Sequence, residues 1–141
     1  MAISTISSTL LDSYRSAEYH VASNPPFILK IGIFSDELIQ LYRYSRCNCS
    51  AFITAYNPAS QEFSDEENLA RNKKLEELIQ SLNYQYLAGA GRCPKDNGPG
   101  EISFLVLGMS QALASDVGNQ FGQNAIVWCG EDAVPQLVLL K

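Results

Sequence analysis

The stretch FITAYNPASQEFSDEENLARN, residues 52–72, joins a strand to a helix and decides how the chain is organised. Its first residues are apolar, aromatic and β-branched, which is typical of a buried strand. Asn57-Pro58 ends that strand, because proline cannot donate to a β-ladder. Ser64 and Glu67 have the spacing of a capping box, in which each side chain accepts from the other residue's backbone N–H. The pattern therefore predicts a strand followed by a helix that begins at Ser64.

This helix, expected to run to about Leu82, carries polar side chains on the face that should be buried. At 100° per residue from Ser64, Asn68 falls at about 40° and Arg71 at about 340°. The apolar stripe covers the same side of the helix and consists of Leu75, Leu78, Ile79 and Leu82. Burying an amide or a guanidinium without partners costs several kcal/mol, so both side chains need partners, water or a ligand.

Two interpretations of these polar side chains stay open. In the first, the helix N-terminus and Arg71 bind a carboxylate or phosphate, because free N–H groups, the positive end of the helix dipole and a planar guanidinium all suit such an anion. In the second, the role is structural: Asn68 bonds the preceding loop and Arg71 pairs with Glu67 four residues earlier.

Polar residues on neighbouring segments extend the candidate site. They follow the end of the buried strand, open the strand ISFLVLG, or begin the strand NAIVWCG. Ligands of α/β sheets bind beyond strand ends, and a buried carboxyl can act as a general base. We therefore predict that a ligand contacts Thr54, Asn57, Ser60, Asn68, Arg71, Glu101, Ser103, Gln123 and Asn124.

The rest of the chain predicts an α+β or α/β fold. Apolar residues every three or four positions predict helices at residues 4–17 and 36–45 and after Ser110. Apolar runs predict strands at residues 27–33, 50–56, 83–91, 102–109, 124–130 and 136–140, with a short extended piece at 19–21. We expect one domain over residues 1–141, in which three to four helices pack on a mixed sheet of about five to six strands. The polar segment 92–100 predicts a flexible loop.

Composition excludes several classes of partner. The net charge of −5 and the sequence pI of 4.8 disfavour nucleic-acid binding. No stretch approaches the roughly 20 apolar residues of a membrane span, and no signal-peptide pattern opens the chain, so we expect a cytoplasmic protein. The C-x-C spacing of Cys47 and Cys49 is not a usual zinc pattern. We predict no metal and no cofactor, and the sequence does not indicate an oligomeric state.

Several segments resemble DUF3293, a family of small bacterial proteins of unknown function. They are ITAYNPASQ, SDEENLARN, GAGR, EISFLVLG and FGQNAIVW, and the similarity spans most of the chain. The resemblance implies one compact cytosolic domain and no known activity. The family motif coincides with Thr54, Asn57, Pro58, Ser60, Asn68, Arg71, Glu101, Ser103, Gln123 and Asn124. Relatives often carry a tryptophan before the Glu-x-Ser segment, whereas this chain has RCPKDNGPG there.

Three functions remain in competition. The favoured one is binding of a small polar or anionic metabolite at the helix N-terminus. The second is an enzyme of hydrolase or transferase type with Glu101 as acid or base, although the absence of an obvious nucleophile leans against catalysis. The third is an interaction module or inhibitor with a protein partner, anchored by aromatic side chains among Tyr42, Tyr44, Tyr84, Tyr86 and Trp128.

Overall fold

The computed structural model describes residues 6–94 and 100–141. Across this part of the chain, helices and strands follow in the order α1 (Ser8–Ser16), β1 (Glu18–Val21), β2 (Phe27–Leu29), α2 (Asp36–Ser45), β3 (Ser50–Ile53), a 3-10 helix (Pro58–Ser60), α3 (Asp65–Ser81), β4 (Tyr86–Arg92), β5 (Glu101–Leu107), α4 (Gln111–Gln120), β6 (Ala125–Cys129) and β7 (Pro135–Leu139). None of the helices in these residues is long and apolar enough to cross a lipid bilayer.

A serine cap begins each of the four helices of the described residues. Ser7, Ser35, Ser64 and Ser110 each accept a hydrogen bond from the backbone N–H three residues later, which satisfies a donor that the first turn leaves free. The predicted bounds of α2 are confirmed, and α3 ends within one residue of the prediction. α1 is shorter than the predicted helix 4–17, of which residues 4 and 5 lie outside the described residues.

In the described residues, one sheet of seven strands has the order β2-β1-β4-β5-β3-β6-β7. Every strand pair is antiparallel, so the predictions of a mixed sheet and of five to six strands are wrong. The strand count was too low because β1, predicted only as a short extended piece at residues 19–21, has four residues, too few to show a period. The sheet is not mixed because β3 pairs with β5 and β6, both distant in sequence, instead of with a parallel neighbour across α3. The fold is α+β.

Helices cover both faces of the sheet. On one face, α3 and α4 pack through Leu75 and Val117 on the side chains of Ile53 and Val106. On the other face, α2 packs through Leu38 and Tyr42 on a second cluster that includes Phe52, Leu105, Leu107 and Val127. We call this second surface the α2 face; it also carries the candidate site.

Two strands end three or four residues earlier than predicted. β2 stops at Leu29 rather than at residue 33, and Gly32 has the left-handed φ of +80° that turns the chain. β3 stops at Ile53 rather than at residue 56. Residues 95–99 of the loop predicted at 92–100 lie outside the described residues.

Candidate functional site

Strand geometry carries polar side chains onto the open end of the α2 face. Successive residues of a strand point to opposite sides of the sheet. Leu105 and Leu107 of β5 pack on the α2 face, so Ser103 and Glu101 continue the same row beyond the apolar cluster. The α2 face is therefore apolar beneath α2 and polar where β5 begins.

A glycine leaves a gap in this polar end. Tyr19 of β1 lies opposite Gly91 of β4, which in turn lies opposite Glu101 of β5. Because Gly91 has no side chain, nothing fills the space between the phenol and the carboxyl group. A Cβ atom placed on Gly91 would meet no atom closer than the Tyr19 ring, at 3.8 Å.

The gap forms the floor of a cavity of about 80 Å³, which we call the Glu101 cavity. It adjoins an outer groove of about 450 Å³, which shares with it the residues Tyr14, Tyr19, Asn57, Gly91 and Glu101. Six of the nine predicted site residues line the cavity: Thr54, Asn57, Ser60, Glu101, Ser103 and Gln123. The other three, Asn68, Arg71 and Asn124, lie behind it in the network that holds its wall.

Glu101 is the charged side chain of the cavity lining. Its Oε2 atom accepts a hydrogen bond from Asn57 Nδ2 at 2.9 Å. Burial raises the pKa of this carboxyl group above its ordinary value, and the hydrogen bond from Asn57 offsets part of that rise. A partly buried carboxyl with a raised pKa can accept or donate a proton closer to neutral pH than an exposed one.

The loop after β3 reaches the cavity in an unusual backbone conformation. Asn57, Ala59 and Ser60 have φ values of 43°, 56° and 57°, in the left-handed region that residues other than glycine seldom occupy. Such conformations cost of order 1–3 kcal/mol each and persist only where neighbouring groups hold them. The loop positions Asn57 and Ser60 in the cavity wall.

Asn68 is one of the groups that hold this loop. Its Oδ1 accepts from the backbone N–H of Asn57 at 2.9 Å, and its Nδ2 donates to Asn57 Oδ1 at 2.8 Å and to the carbonyl of Phe63 at 3.4 Å. Asn68 and the neighbouring Asn72 are buried, together with Leu75 and Ile79. The prediction that the buried face of α3 is polar in its first turns is therefore confirmed.

Arg71 joins the two chain segments on either side of the loop. Its Nε donates to the carbonyl of Ala55 at 3.1 Å, and its Nη2 donates to the carbonyl of Phe121 at 2.6 Å. The guanidinium also lies 5.8 Å from the centroid of the Phe63 ring. Among the described residues, ion pairs within 4.0 Å join Glu18 to a histidine and a lysine, and the pair that the structural interpretation expected between Arg71 and Glu67 does not form.

A second polar cluster attaches α1 to the cavity wall. The hydroxyls of Tyr14 and Ser60 are 2.6 Å apart, and Asn124 Nδ2 donates to each of them at 3.3 Å. α1 has no fully buried residue, and Leu10, Leu11 and Tyr14 are only partly buried, so this contact helps to hold the helix at the site together with the hydrogen bond from the Tyr19 hydroxyl to the carbonyl of Tyr14. Gln123 holds the loop from the other side, donating from Nε2 to the carbonyl of Tyr56 at 3.1 Å.

The N-terminus of α3 has its own partners. Ser64 Oγ accepts from the backbone N–H of Glu67 at 3.1 Å, and Glu67 Oε1 accepts from the backbone N–H of Ser64 at 3.3 Å. Three carboxylates, those of Asp65, Glu66 and Glu67, occupy the first turn. Their negative charge already complements the helix dipole and would repel a bound anion.

Other candidate features of the sequence are structural. The AGAGR segment lies within β4, where a Cβ atom on Gly89 would approach a ring carbon of Phe52 to 2.9 Å, so the glycine permits close packing. In the described residues, no three His, Cys, Asp or Glu side chains are arranged to hold a metal ion. Burial raises the pKa of the Cys47 and Cys49 thiols and raises that of Cys129 to about 12, so thiolate chemistry is disfavoured.

The aromatic side chains considered as interface anchors have different environments. Tyr42 is buried, and its hydroxyl donates to the carbonyl of Cys129 at 3.1 Å. Tyr84, Tyr86 and Trp128 are partly buried against the core. Tyr44 differs from them, because 90% of its surface is exposed.

Sequence reasoning missed nine of the fifteen described residues that line the cavity, among them Tyr14, Tyr19, Tyr56 and Gly91. Tyr14 lies in the predicted helix 4–17, and Gly91 lies in the GAGR segment of the family resemblance. The spacing of Gly89 and Gly91 held the signal, since two glycines on one face of a strand leave room above the sheet.

Taken together, the fold and the site define an α+β protein with a small polar cavity at the open end of one sheet face. Residues 53–126 match the family described as Protein of unknown function (DUF3293). The match covers more than half of the chain and contains all nine predicted site residues, and the chain belongs to this family. Neither the curated proteins nor the solved structures compared with the chain give a match.

Proposed function

We propose that the protein binds a small polar molecule in the Glu101 cavity. The observation that carries this proposal is the Glu101 carboxyl group at the cavity floor, with one oxygen held by Asn57 and the whole group partly withdrawn from water. Keeping a carboxylate away from water is costly unless a partner compensates. A ligand that contacts Glu101 would supply that compensation. If this side chain served only to stabilise the fold, a neutral side chain would serve as well.

The cavity is a better candidate for the ligand than the helix N-terminus. The α3 terminus has a complete capping box and three acidic side chains, and the hydrogen bonds of Arg71 go to backbone carbonyls. An anion bound at that end would have to displace these contacts. For Arg71 and Asn68, these contacts favour a role in holding the loop that carries Asn57 and Ser60.

A cavity-filling variant tests this proposal. Gly91→Val should fill the floor without a clash at Cβ and should abolish binding, whereas Ala88→Val, on the same strand but the opposite and exposed face, should not. Both proteins are screened against small amines, alcohols, amides and organic acids by thermal shift, and hits are mapped by amide NMR. A compound that shifts the cavity signals in the wild type and in Ala88→Val, but not in Gly91→Val, supports the proposal. If no compound does so, or if Gly91→Val binds equally well, the proposal fails.

Acid–base catalysis by Glu101 is a second candidate, favoured by the raised pKa of its carboxyl group. The paired hydroxyls of Tyr14 and Ser60 lie in the same cavity wall. Chromogenic ester and glycoside substrates test it: turnover lost in Glu101→Gln, with a pH profile that follows one carboxyl group, supports catalysis. An interaction module is less well supported, because four of the five candidate anchor side chains pack on the core.

A further inference from the structure

We infer that the ligand of the Glu101 cavity is a small organic cation, bound through an ammonium or similar N–H-rich group against the Glu101 carboxylate. The inference rests on the proposed binding function and adds the chemical class of the ligand. Three independent features of the cavity support it: the sign of its charge, the direction of its hydrogen bonds and its aromatic content.

The charge of the lining has one sign. Among the described residues, 6–94 and 100–141, Glu101 is the formally charged member of the lining, and none of their lysine, arginine or histidine side chains lines the cavity. The carboxylate of Asp65 lies close enough to Tyr56 to act on that phenol electrostatically, which adds negative potential at the wall. Arg92 lines the outer groove and not the cavity itself. A cation in the cavity would gain Coulomb energy in partly dry surroundings, where charges interact more strongly than in water.

Three polar side chains of the wall already donate hydrogen bonds within the protein. Thr54 Oγ1 donates to the carbonyl of Ile102 at 2.6 Å, and Ser103 Oγ donates to the carbonyl of Glu101 at 2.9 Å. Gln123 Nε2 donates to the carbonyls of Tyr56 and Phe121.

After these donations, the groups have oxygen lone pairs to offer to the cavity, as does the carboxylate of Glu101. These four side chains, Thr54, Ser103, Gln123 and Glu101, therefore present mainly hydrogen-bond acceptors to the cavity. A ligand that satisfies them must bring N–H or O–H groups of its own, and an ammonium group brings three.

Aromatic rings complete the site. Tyr14, Tyr19, Phe52 and Tyr56 all contribute to the lining. Their ring faces attract cations, by about 0.5–2 kcal/mol for each well-placed ring. At about 80 Å³, the cavity has room for roughly three water-sized groups of about 30 Å³ each, enough for a cationic head group, and the rest of a longer ligand can lie in the outer groove.

The experiment compares three probes of similar shape and different charge: propylammonium, 1-propanol and propionate. Each is titrated into the full chain at constant ionic strength, and amide NMR reports on residues 101 and 103. We expect propylammonium to shift these signals with a Kd at least about tenfold lower than that of propanol, and propionate to leave them unchanged. Glu101→Gln should weaken propylammonium binding about tenfold or more, while the exposed Glu131→Gln should leave it unchanged.

Two outcomes overturn the inference. One is that propanol or propionate binds in the cavity as tightly as propylammonium, and that Glu101→Gln binds propylammonium as tightly as the wild type does. The proposed binding function would then stand, and only the ligand class would be wrong. The other is no response of the cavity signals to propylammonium. Should Glu101→Gln lose its native spectrum, Ser103→Ala replaces it, and the inference then requires at least a threefold weaker Kd for propylammonium, about 0.6 kcal/mol.

Discussion

Replacing Arg71 by alanine should release the loop that carries Asn57 and Ser60 into the cavity wall. The guanidinium joins the carbonyl of Ala55, before the loop, to the carbonyl of Phe121, at the end of α4. Hydrogen bonds from a charged donor contribute about 1.5–3 kcal/mol each. Because Arg71 is only partly buried, we take the lower part of that range for each of the two bonds and expect a loss of about 3–4 kcal/mol in the free energy of unfolding.

Urea denaturation measures this loss, and the m-value should stay constant because the folded chain remains compact. A matched control is Lys73→Ala, an exposed position of the same helix, which should stay within about 0.5 kcal/mol of the wild type. Arg71→Lys keeps the charge but lacks the planar fork, so it should recover only part of the loss.

The outcome that would refute this reasoning is an Arg71→Ala protein as stable as the wild type. If that protein also lost the ability to bind an anionic compound, the guanidinium would belong to a ligand rather than to the loop. The two roles of Arg71 are therefore separated by one pair of measurements, stability and anion affinity.

Three further predictions test other contacts. Because burial raises the pKa of Glu101, its contribution to stability should be fully present below the ordinary pKa of 4.5 and lost as pH rises through the raised pKa. The stability difference between Glu101→Gln and the wild type should therefore change in favour of Glu101→Gln in melting curves between about pH 4 and pH 8, and a constant difference would contradict this. Gly89→Ala should cost about 1–3 kcal/mol in urea denaturation, because its Cβ would overlap the backbone carbonyl oxygen of His20 and crowd the Phe52 ring, while Gly91→Ala, with no contact below 3.8 Å, should cost less than 1 kcal/mol. Leu75→Ala should cost about 2–5 kcal/mol by the same measurement and the half-exposed Leu69→Ala under 1 kcal/mol; equal losses would refute the assignment of the buried face of α3.

Local chemistry made the helices predictable. The capping box of Ser64 and Glu67 is a signal only four residues long, and it indicates where α3 starts. The acidic first turn after Ser35 indicates the start of α2 in the same way. Sheet pairing was not predictable in this way. β3 lies between β5 and β6, strands that follow it by some 50 and 75 residues, and no local pattern in β3 selects those neighbours.

The candidate site was predictable only in part for the same reason. Helix geometry places the side chain of Arg71 towards the interior, but its hydrogen-bond partner at Phe121 comes from a helix end 50 residues away. The left-handed backbone at Ala59 and Ser60 could not be foreseen, since alanine and serine do not favour it and only tertiary contacts maintain it.

The weak attachment of α1 has a consequence for the range of molecules that the protein can accommodate. Nothing in its nine residues is buried, yet Tyr14 from this helix forms part of the cavity boundary, held by Ser60 and Asn124. Swinging one peripheral helix outwards breaks few contacts, whereas spreading the strands would break a whole ladder of backbone hydrogen bonds. The resting volume is thus no upper limit on the size of a bound molecule, and adaptation to bulkier molecules would be concentrated at the α1 side of the cavity.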